Sequence, residues 1–559
     1  MLEFVTLRIP HSSGTLNRRC YDSGMFRPIF IACAVFLMFH AQLLAASLIG
    51  EIRDSESGQF LPARIYVQDQ TGKWFFPESA HKDGSAVRYQ KQSRGNTNSV
   101  EMHTTLSAHP FRVELPIGKY TLTVERGKEY FTLIQDVEVK GKETRVKLPL
   151  KRWINMAERG WYSGDTHVHR TLEELPNLMR AEDLNVSFPL VYWVTRAYES
   201  PSTGNKNLGG NIPSGLIKLD STHVIYPRNT EYEIFSVNRK RHALGAIFVL
   251  NHKQPFQMGA PPVTPIAEQA RAEGALLELD KHNWEWSMML VPVMNVDFFE
   301  LSNNHVWRTE FGFRNFGLEA PNYMGLNPKG QWTERDWLLY GFKNYYALLN
   351  SGFPMRVAAG NASGVHPVPL GFGRVYVNLP DGFDYDDWVN GLNAGRSFVT
   401  TGPMLFATID GKPAGTKTTL ATGKSLKIAG ELCSDHMPGG VEIMRNGEAI
   451  IRIASQPEQR EDGSFRFRFE TNVTVEESSW IALRYIEHRE GGRLRFAHTN
   501  PWHFSVTGKP LRPKKREIEF LIGRMKTQIQ RSTGVLPEKA MAEYQRALAV
   551  YQSKLANAR

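Results

Sequence analysis

The hydrophobic patterning of this chain changes period along its length, and that change limits the folds open to it more than any other feature. Between residues 153 and 402 short apolar runs break off into polar residues. Ala246-Ile247-Phe248-Val249-Leu250 leads into Asn251-His252, and 297–301 leads into Ser302-Asn303-Asn304. Helix-like stretches at 266–279 and 336–349 lie between some of these runs. Buried strands alternating with helices predict a parallel α/β sheet or barrel, and sites in such folds form at the C-terminal strand ends, where these polar residues fall. On either side the period drops to two. Residues 64–68, 120–124 and 144–148 predict the half-buried strands of one small β-sandwich over 47–152, and 465–469 with 480–485 those of a second over 403–508. The basic tail, 509–559, predicts a helical hairpin. Ile518, Leu521, Ile522, Met525 and Ile529 make one apolar stripe, and Met541, Tyr544, Leu548, Tyr551 and Leu555 the other, packing on each other or on the body.

A length of 559 residues, 41% hydrophobic and 22% charged, is enough for several cores of ordinary globular composition. The net charge of +10 does not imply nucleic acid. Residues 1–46 carry +2 and residues 509–559 carry +8, which leaves the body neutral and without a groove lined for phosphates.

Arg27, the apolar run 29–39 and the small residues Ala45-Ala46-Ser47 have the layout of a secretory signal peptide over residues 1–46. The expected location is periplasmic or extracellular, with the membrane met only through this leader. An uncleaved anchor is the other reading. Cys20 and Cys33 belong to the leader, so the remaining Cys433 has no partner for a disulfide and no cysteine metal cluster is available.

The chemistry centres on Gly164-Asp165-Thr166-His167-Val168-His169. Two histidines two apart on a strand point to one face and can grip one metal ion. With 17 histidines in the chain such a spacing also arises by chance; the strand-like lead-in and the candidate ligands downstream raise its weight.

That hexapeptide resembles the opening motif of the PHP (polymerase and histidinol phosphatase) metallohydrolases, and most nearly their exported carbaryl-hydrolase-like (CehA/McbA) branch. Residues 390–403 resemble the branch's closing segment, and Ala497-His498-Thr499-Asn500-Pro501 its C-terminal sandwich. Gly50-Glu51-Ile52-Arg53-Asp54, Leu61-Pro62-Ala63-Arg64 and 115–120 resemble a carboxypeptidase regulatory-like domain, an accessory module. The implied fold is α/β: a distorted seven-stranded PHP-type β/α barrel flanked by two small β-sandwiches, plus the helical hairpin.

The resemblance implies His167 and His169 as metal ligands, joined by Glu231 or Glu233, between which spacing does not choose, and by His242 and His252. Glu300 is expected behind the ligands. Two motifs depart from the family. Its Thr-Asp-His is replaced by Leu190-Val191-Tyr192-Trp193-Val194-Thr195, and its Asp-x-His by Asn361-Ala362-Ser363-Gly364-Val365-His366, which leaves Asn361, Ser363 and His366 to support the site without an anionic ligand. One or two divalent ions (Zn, Mn or Fe) are expected, not three.

Such a site lowers the pKa of bound water toward about 7 and makes it the nucleophile. Asp165 and Lys253 are the expected helpers, with Arg374 a further one. The substrate is a small or carbohydrate-type molecule, a phosphoester by the wider family or a carboxylic ester, amide or carbamate by the nearer branch. Trp193, Trp284, Trp286 and Trp307 line its cleft or lie in the core. The competing class is a non-catalytic exported binding protein with a degenerate barrel, which need hold no metal.

Overall fold

The computed structural model describes residues 45–93, 98–203, 211–311 and 319–559. The expected leader therefore lies outside the described residues, except for Ala45 and Ala46, which open the strand Ala45–Asp54. The N-terminal strands form two sheets. Glu143–Leu150, Ala45–Asp54, Phe111–Pro116 and Glu78–Ser79 follow one another in the first, and Ala86–Gln92, Val100–Leu106, Ala63–Asp69, Gly118–Glu125 and Leu133–Val139 in the second. Alternation decides which side chains face inward: Phe111, Val113 and Leu115 are buried while Arg112 and Glu114 are exposed. Both sheets line one core that includes Leu48, Leu115, Ile65 and Leu122.

The central strands are β1 (Trp161–Val168), β2 (Val186–Pro189), β3 (Tyr192–Arg196), β4 (Thr230–Val237), β5 (Lys240–Leu250), β6 (Leu276–Leu279), β7 (Phe298–Ser302), β8 (Arg356–Ala359), β9 (Arg374–Asn378) and β10 (Ser397–Thr400). Five helices lie among them: α1 (Leu175–Glu182), α2 (Thr264–Glu273), α3 (Trp286–Met294), α4 (Glu334–Asn350) and α5 (Tyr385–Ala394). Local sequence sets where two of them begin. Thr333 and Asp336 close a capping box on α4, and the Asp384 side chain accepts from the Asp387 amide at α5.

The expected parallel sheet is in fact mixed. β3 and β4 are parallel, as are β6, β7 and β8, but β4–β5 and β5–β6 are antiparallel. Asn238 and Arg239, both with positive φ, turn β4 directly back into β5 with no helix between them. β1 belongs to another sheet, between β2 and β9, and that sheet continues through β10 into Leu494–Thr499, Ser479–His488 and Val441–Arg445. It therefore runs across residues 402–403.

The two central sheets meet where β1 lies against β8. The Thr166 hydroxyl is 3.1 Å from the Ala359 carbonyl, and Val168 bridges Ser363. Beyond β10, Met404–Ile409, Lys424–Ser434 and Phe465–Val475 form a further sheet, sharing a core with Ile443, Leu483 and Trp502. Cys433 there is a buried free thiol.

The tail forms α6 (Lys515–Ser532) and α7 (Glu538–Leu555). Ile518, Leu521, Met525, Tyr544 and Tyr551 are fully buried in the same core as α3 and the central strands. Glu543 accepts from the Val263 and Thr264 amides and so caps α2 from outside. Residues 45–559 are one compact unit. Among the described residues no helix is long and apolar enough to cross a membrane.

Candidate metal centre

The C-terminal ends of β1 and β6, the N-terminal end of β4 and the middle of β7 bring buried polar side chains together. His167 Nε2 and His169 Nε2 are 3.2 Å apart, and Glu231 Oε2 is 3.2 Å from the same nitrogen of His169. The period-two geometry of β1 aims both imidazoles to one side. Close backbone packing holds them there. A Cβ on Gly360 would meet the His167 amide nitrogen at 2.5 Å, and one on Gly364, at φ 103°, the His169 carbonyl at 2.1 Å.

The other nitrogen of His167, Nδ1, is 2.9 Å from Glu300 Oε1. An imidazole that binds a cation through Nε2 carries its proton on Nδ1, and Glu300 is placed to accept it. Burial and the neighbouring Asp280 push the Glu300 carboxyl well above its ordinary range. Burial opposes ionisation of Asp280 too, but Lys281 and His167 hold it below the usual carboxylate range. Lys281 Nζ lies 2.5 Å from Asp280 Oδ2, 2.7 Å from Glu233 Oε1 and 3.9 Å from Glu231 Oε1. Burial raises Glu233 to about 7 against the pull of Lys281, and Glu278 to about 8 beside Thr166. The same desolvation pushes His167 well down.

Two buried groups have ligand atoms close enough to share an ion: His167, His169 and Glu231, and His167, Asp280 and Glu300. The first fits a divalent cation. Three lone-pair donors of the imidazole and carboxylate type converge with no opposite charge between them, the set that suits Zn, Mn or Fe. Buried polar atoms nearby, Glu278 Oε2, Ser302 Oγ and the Asn283 amide, have no hydrogen-bond partner among the described residues.

Several expected site residues lie elsewhere. β5 is eleven residues long, and Phe248 is the one that meets the His167 ring, at 4.5 Å. His242, six residues before Phe248 and so about 20 Å away along the strand, is near Ser532 of α6 at 3.4 Å. His252 lies past the other end, bonded to Thr230 Oγ1 at 2.8 Å, and burial lowers it to about 4. The Lys253 side chain is exposed, and its amide donates to Glu273. The structure does not bring these three into the cluster.

Asp165 accepts from the His167 and Gly371 amides at 3.0 and 2.9 Å, so it sets the backbone at the strand end and contacts neither imidazole. Burial raises it to about 7 against those two bonds. Asn361 is fully used: its amide donates to the Asn303 and Val306 carbonyls and its oxygen accepts from Gly373. Ser363 receives the His169 amide on its carbonyl at 2.9 Å. His366 lies against the Trp307 ring at 5.6 Å. Arg374 donates to the Gly371 and Glu182 carbonyls, a structural role. Trp193 is half-buried, 5.5 Å from the His169 ring, while Trp286 is core. Trp284 is half-buried against Phe235.

Glu278, Asp280, Lys281 and His282 escaped the sequence reading. The signal was present: the apolar run of β6 breaks into Asp280-Lys281-His282-Asn283, the same pattern that marked residues 251–252 and 302–304.

No family model matches the chain, and no curated protein is similar to it. A solved structure similar to it is a two-domain protein from Bacteroides vulgatus containing a predicted PHP-like metal-dependent phosphoesterase. It is 7% identical, with a TM-score of 0.26, and the match covers 61% of this chain and 94% of that one.

Proposed function

We propose that the chain is an exported PHP-type metal-dependent hydrolase. The observation that carries this is the convergence of His167, His169 and Glu231 in a buried cluster at strand ends, backed by Glu300 on His167. In this reading β1–β8 form the distorted seven-stranded barrel with β2 and β3 sharing one strand's place. The sheets over 47–152 and 403–508 are the two sandwiches, and 1–46 is the leader. The motif at 164–169 supports the PHP superfamily; the CehA/McbA branch rests on the sequence resemblance alone.

A bound dication supplies Lewis acidity and acidifies a water. His167, His169 and Glu231 hold it, Glu300 fixes the His167 tautomer, and Lys281 brings a positive charge to the same pocket. The proposed substrates are phosphoesters, carboxylic esters, amides or carbamates, with Trp193 walling the entrance beside His169. Asn361, which stands where the family has aspartate, is spent on backbone bonds and offers no ligand.

Elemental analysis of the purified chain, with a screen of p-nitrophenyl phosphate and p-nitrophenyl acetate, tests the reading. Bound Zn, Mn or Fe with hydrolysis that chelators abolish is expected. A folded chain with no metal and no turnover favours the binding-protein alternative.

A further inference from the structure

We infer that Lys281 is a built-in cation standing where a second metal ion would sit, so that the centre holds a single dication. This rests on the metal reading above and specifies the stoichiometry it leaves open.

A second ion needs carboxylate oxygens that the first does not use. Apart from Glu278, one of whose oxygens Thr166 holds, the ones available are the other oxygen of Glu231 and the side chains of Glu233, Asp280 and Glu300. The Lys281 ammonium reaches three of these four, at 3.9, 2.7 and 2.5 Å for Glu231, Glu233 and Asp280. Glu231 is divided as a bridging carboxylate is: Oε2 faces His169 and Oε1 faces Lys281. The second ligand group is spent in another way. His167 offers Nδ1 to Glu300, the same nitrogen that must carry a proton once Nε2 binds a cation, and the Glu300 carboxyl lies beside that of Asp280. A chain of contacts thus runs from Lys281 through Asp280 and Glu300 to His167, and it terminates on the first ion's ligand.

Lys281 is 6% exposed, and the Trp284 ring stands 6.0 Å from its ammonium, so the charge faces the carboxylates and not solvent. An ammonium placed among acids satisfies them with directional hydrogen bonds, and a dication brought against it would be repelled by a charge that burial leaves unscreened. In a two-metal centre the second ion helps neutralise charge on the substrate. Here a lysine one residue beyond Asp280 supplies that positive charge without needing to be loaded.

The test is zinc titration of the metal-stripped full-length chain by calorimetry, checked by elemental analysis after dialysis. The parent and Lys281→Arg, which keeps the charge, should each hold about one ion, and Lys281→Gln, which frees Glu233 and Asp280, about two. A parent that saturates at two tight ions overturns the inference while leaving the metal reading intact; so does a folded Lys281→Gln that stays at one. A parent that binds none overturns the metal reading, and the inference falls with it. If Lys281→Gln does not fold, the parent titration still decides between one ion and two.

Discussion

Two of the buried clusters of charge among the described residues are built to opposite rules. The first joins the N-terminal sheets to the central strands. Arg64 pairs with Glu125 and Glu182, Arg308 with Glu101 and Glu125, and Tyr66 and His103 donate to Glu101. Every carboxylate has a guanidinium beside it, and together these partners hold Glu101 well below the usual range despite burial. The second is the cluster at His167, where imidazole nitrogen faces imidazole nitrogen and burial lifts Glu278 and Glu300 because too little positive charge is near. A satisfied network binds parts of a fold together. An incompletely neutralised one is held in place by the fold and completed by something that binds.

Breaking the satisfied network should have the largest effect on stability. Arg64→Ala leaves Glu125 and Glu182 short of a buried partner and should cost about 3–5 kcal/mol, read from urea unfolding, with the metal content of the folded fraction unchanged. A loss below about 1 kcal/mol would erase the contrast.

The opposite result is expected from His169→Ala. Metal content should fall to the background level, while the metal-free chain changes stability by about 1 kcal/mol or less, because the mutation relieves the crowding of ring nitrogens. Chelation should lower the melting temperature of the parent and leave that of His169→Ala unmoved.

Acid should act on the first cluster through His103. Burial lowers this histidine to about 4, partly offset by Glu101, so the folded state binds fewer protons than the unfolded state between pH 6.5 and 4. Its contribution is whole above 6.5 and is lost as the pH falls toward 4, a decline of about 2–3 kcal/mol by pH 4.5. His103→Gln should flatten the stability profile over that window. An unchanged slope would mean that other groups carry the acid sensitivity.

The smallest effects are expected at the residues that the structure leaves outside the cluster. Lys253→Ala and His242→Ala should each change stability by about 0.5 kcal/mol or less and leave metal content as in the parent. Loss of metal in either would return that residue to the site.

Much of this contrast could be read before any coordinates. His167 and His169 were visible because a strand's period puts alternate residues on one face, a property of three consecutive residues of extended backbone and nothing else. Glu231 and Glu233 were both visible and indistinguishable. Adjacent alternation places them on the same side of β4, and only packing decides that Glu231 meets His169 while Glu233 meets Lys281. Lys281 went unseen because a lysine after an apolar run reads as a solvated strand end, and its burial follows from three carboxylates brought from β4 and β6.

Patterning within the chain therefore determined the three things that local physics controls: where strands alternate, where apolar runs end in polar residues, and which helix faces are greasy. The stripe of α6 was legible at Ile518, Leu521, Ile522 and Met525 and that of α7 at Tyr544 and Tyr551, while Met541, Leu548 and Leu555 are only half-buried and Ala540 and Ala547 take the inner face. Tertiary structure decided what those faces meet: the tail packs into the central core and caps α2 through Glu543. It decided that β5 returns antiparallel on β4 and so carries His242 away from the cluster. It decided, finally, the charge of the site, because a carboxyl's state depends on neighbours many residues distant in sequence. Asp280 and Glu300 are twenty residues apart and carry opposite shifts: against burial, Lys281 and His167 draw Asp280 down, while burial and Asp280 itself push Glu300 up.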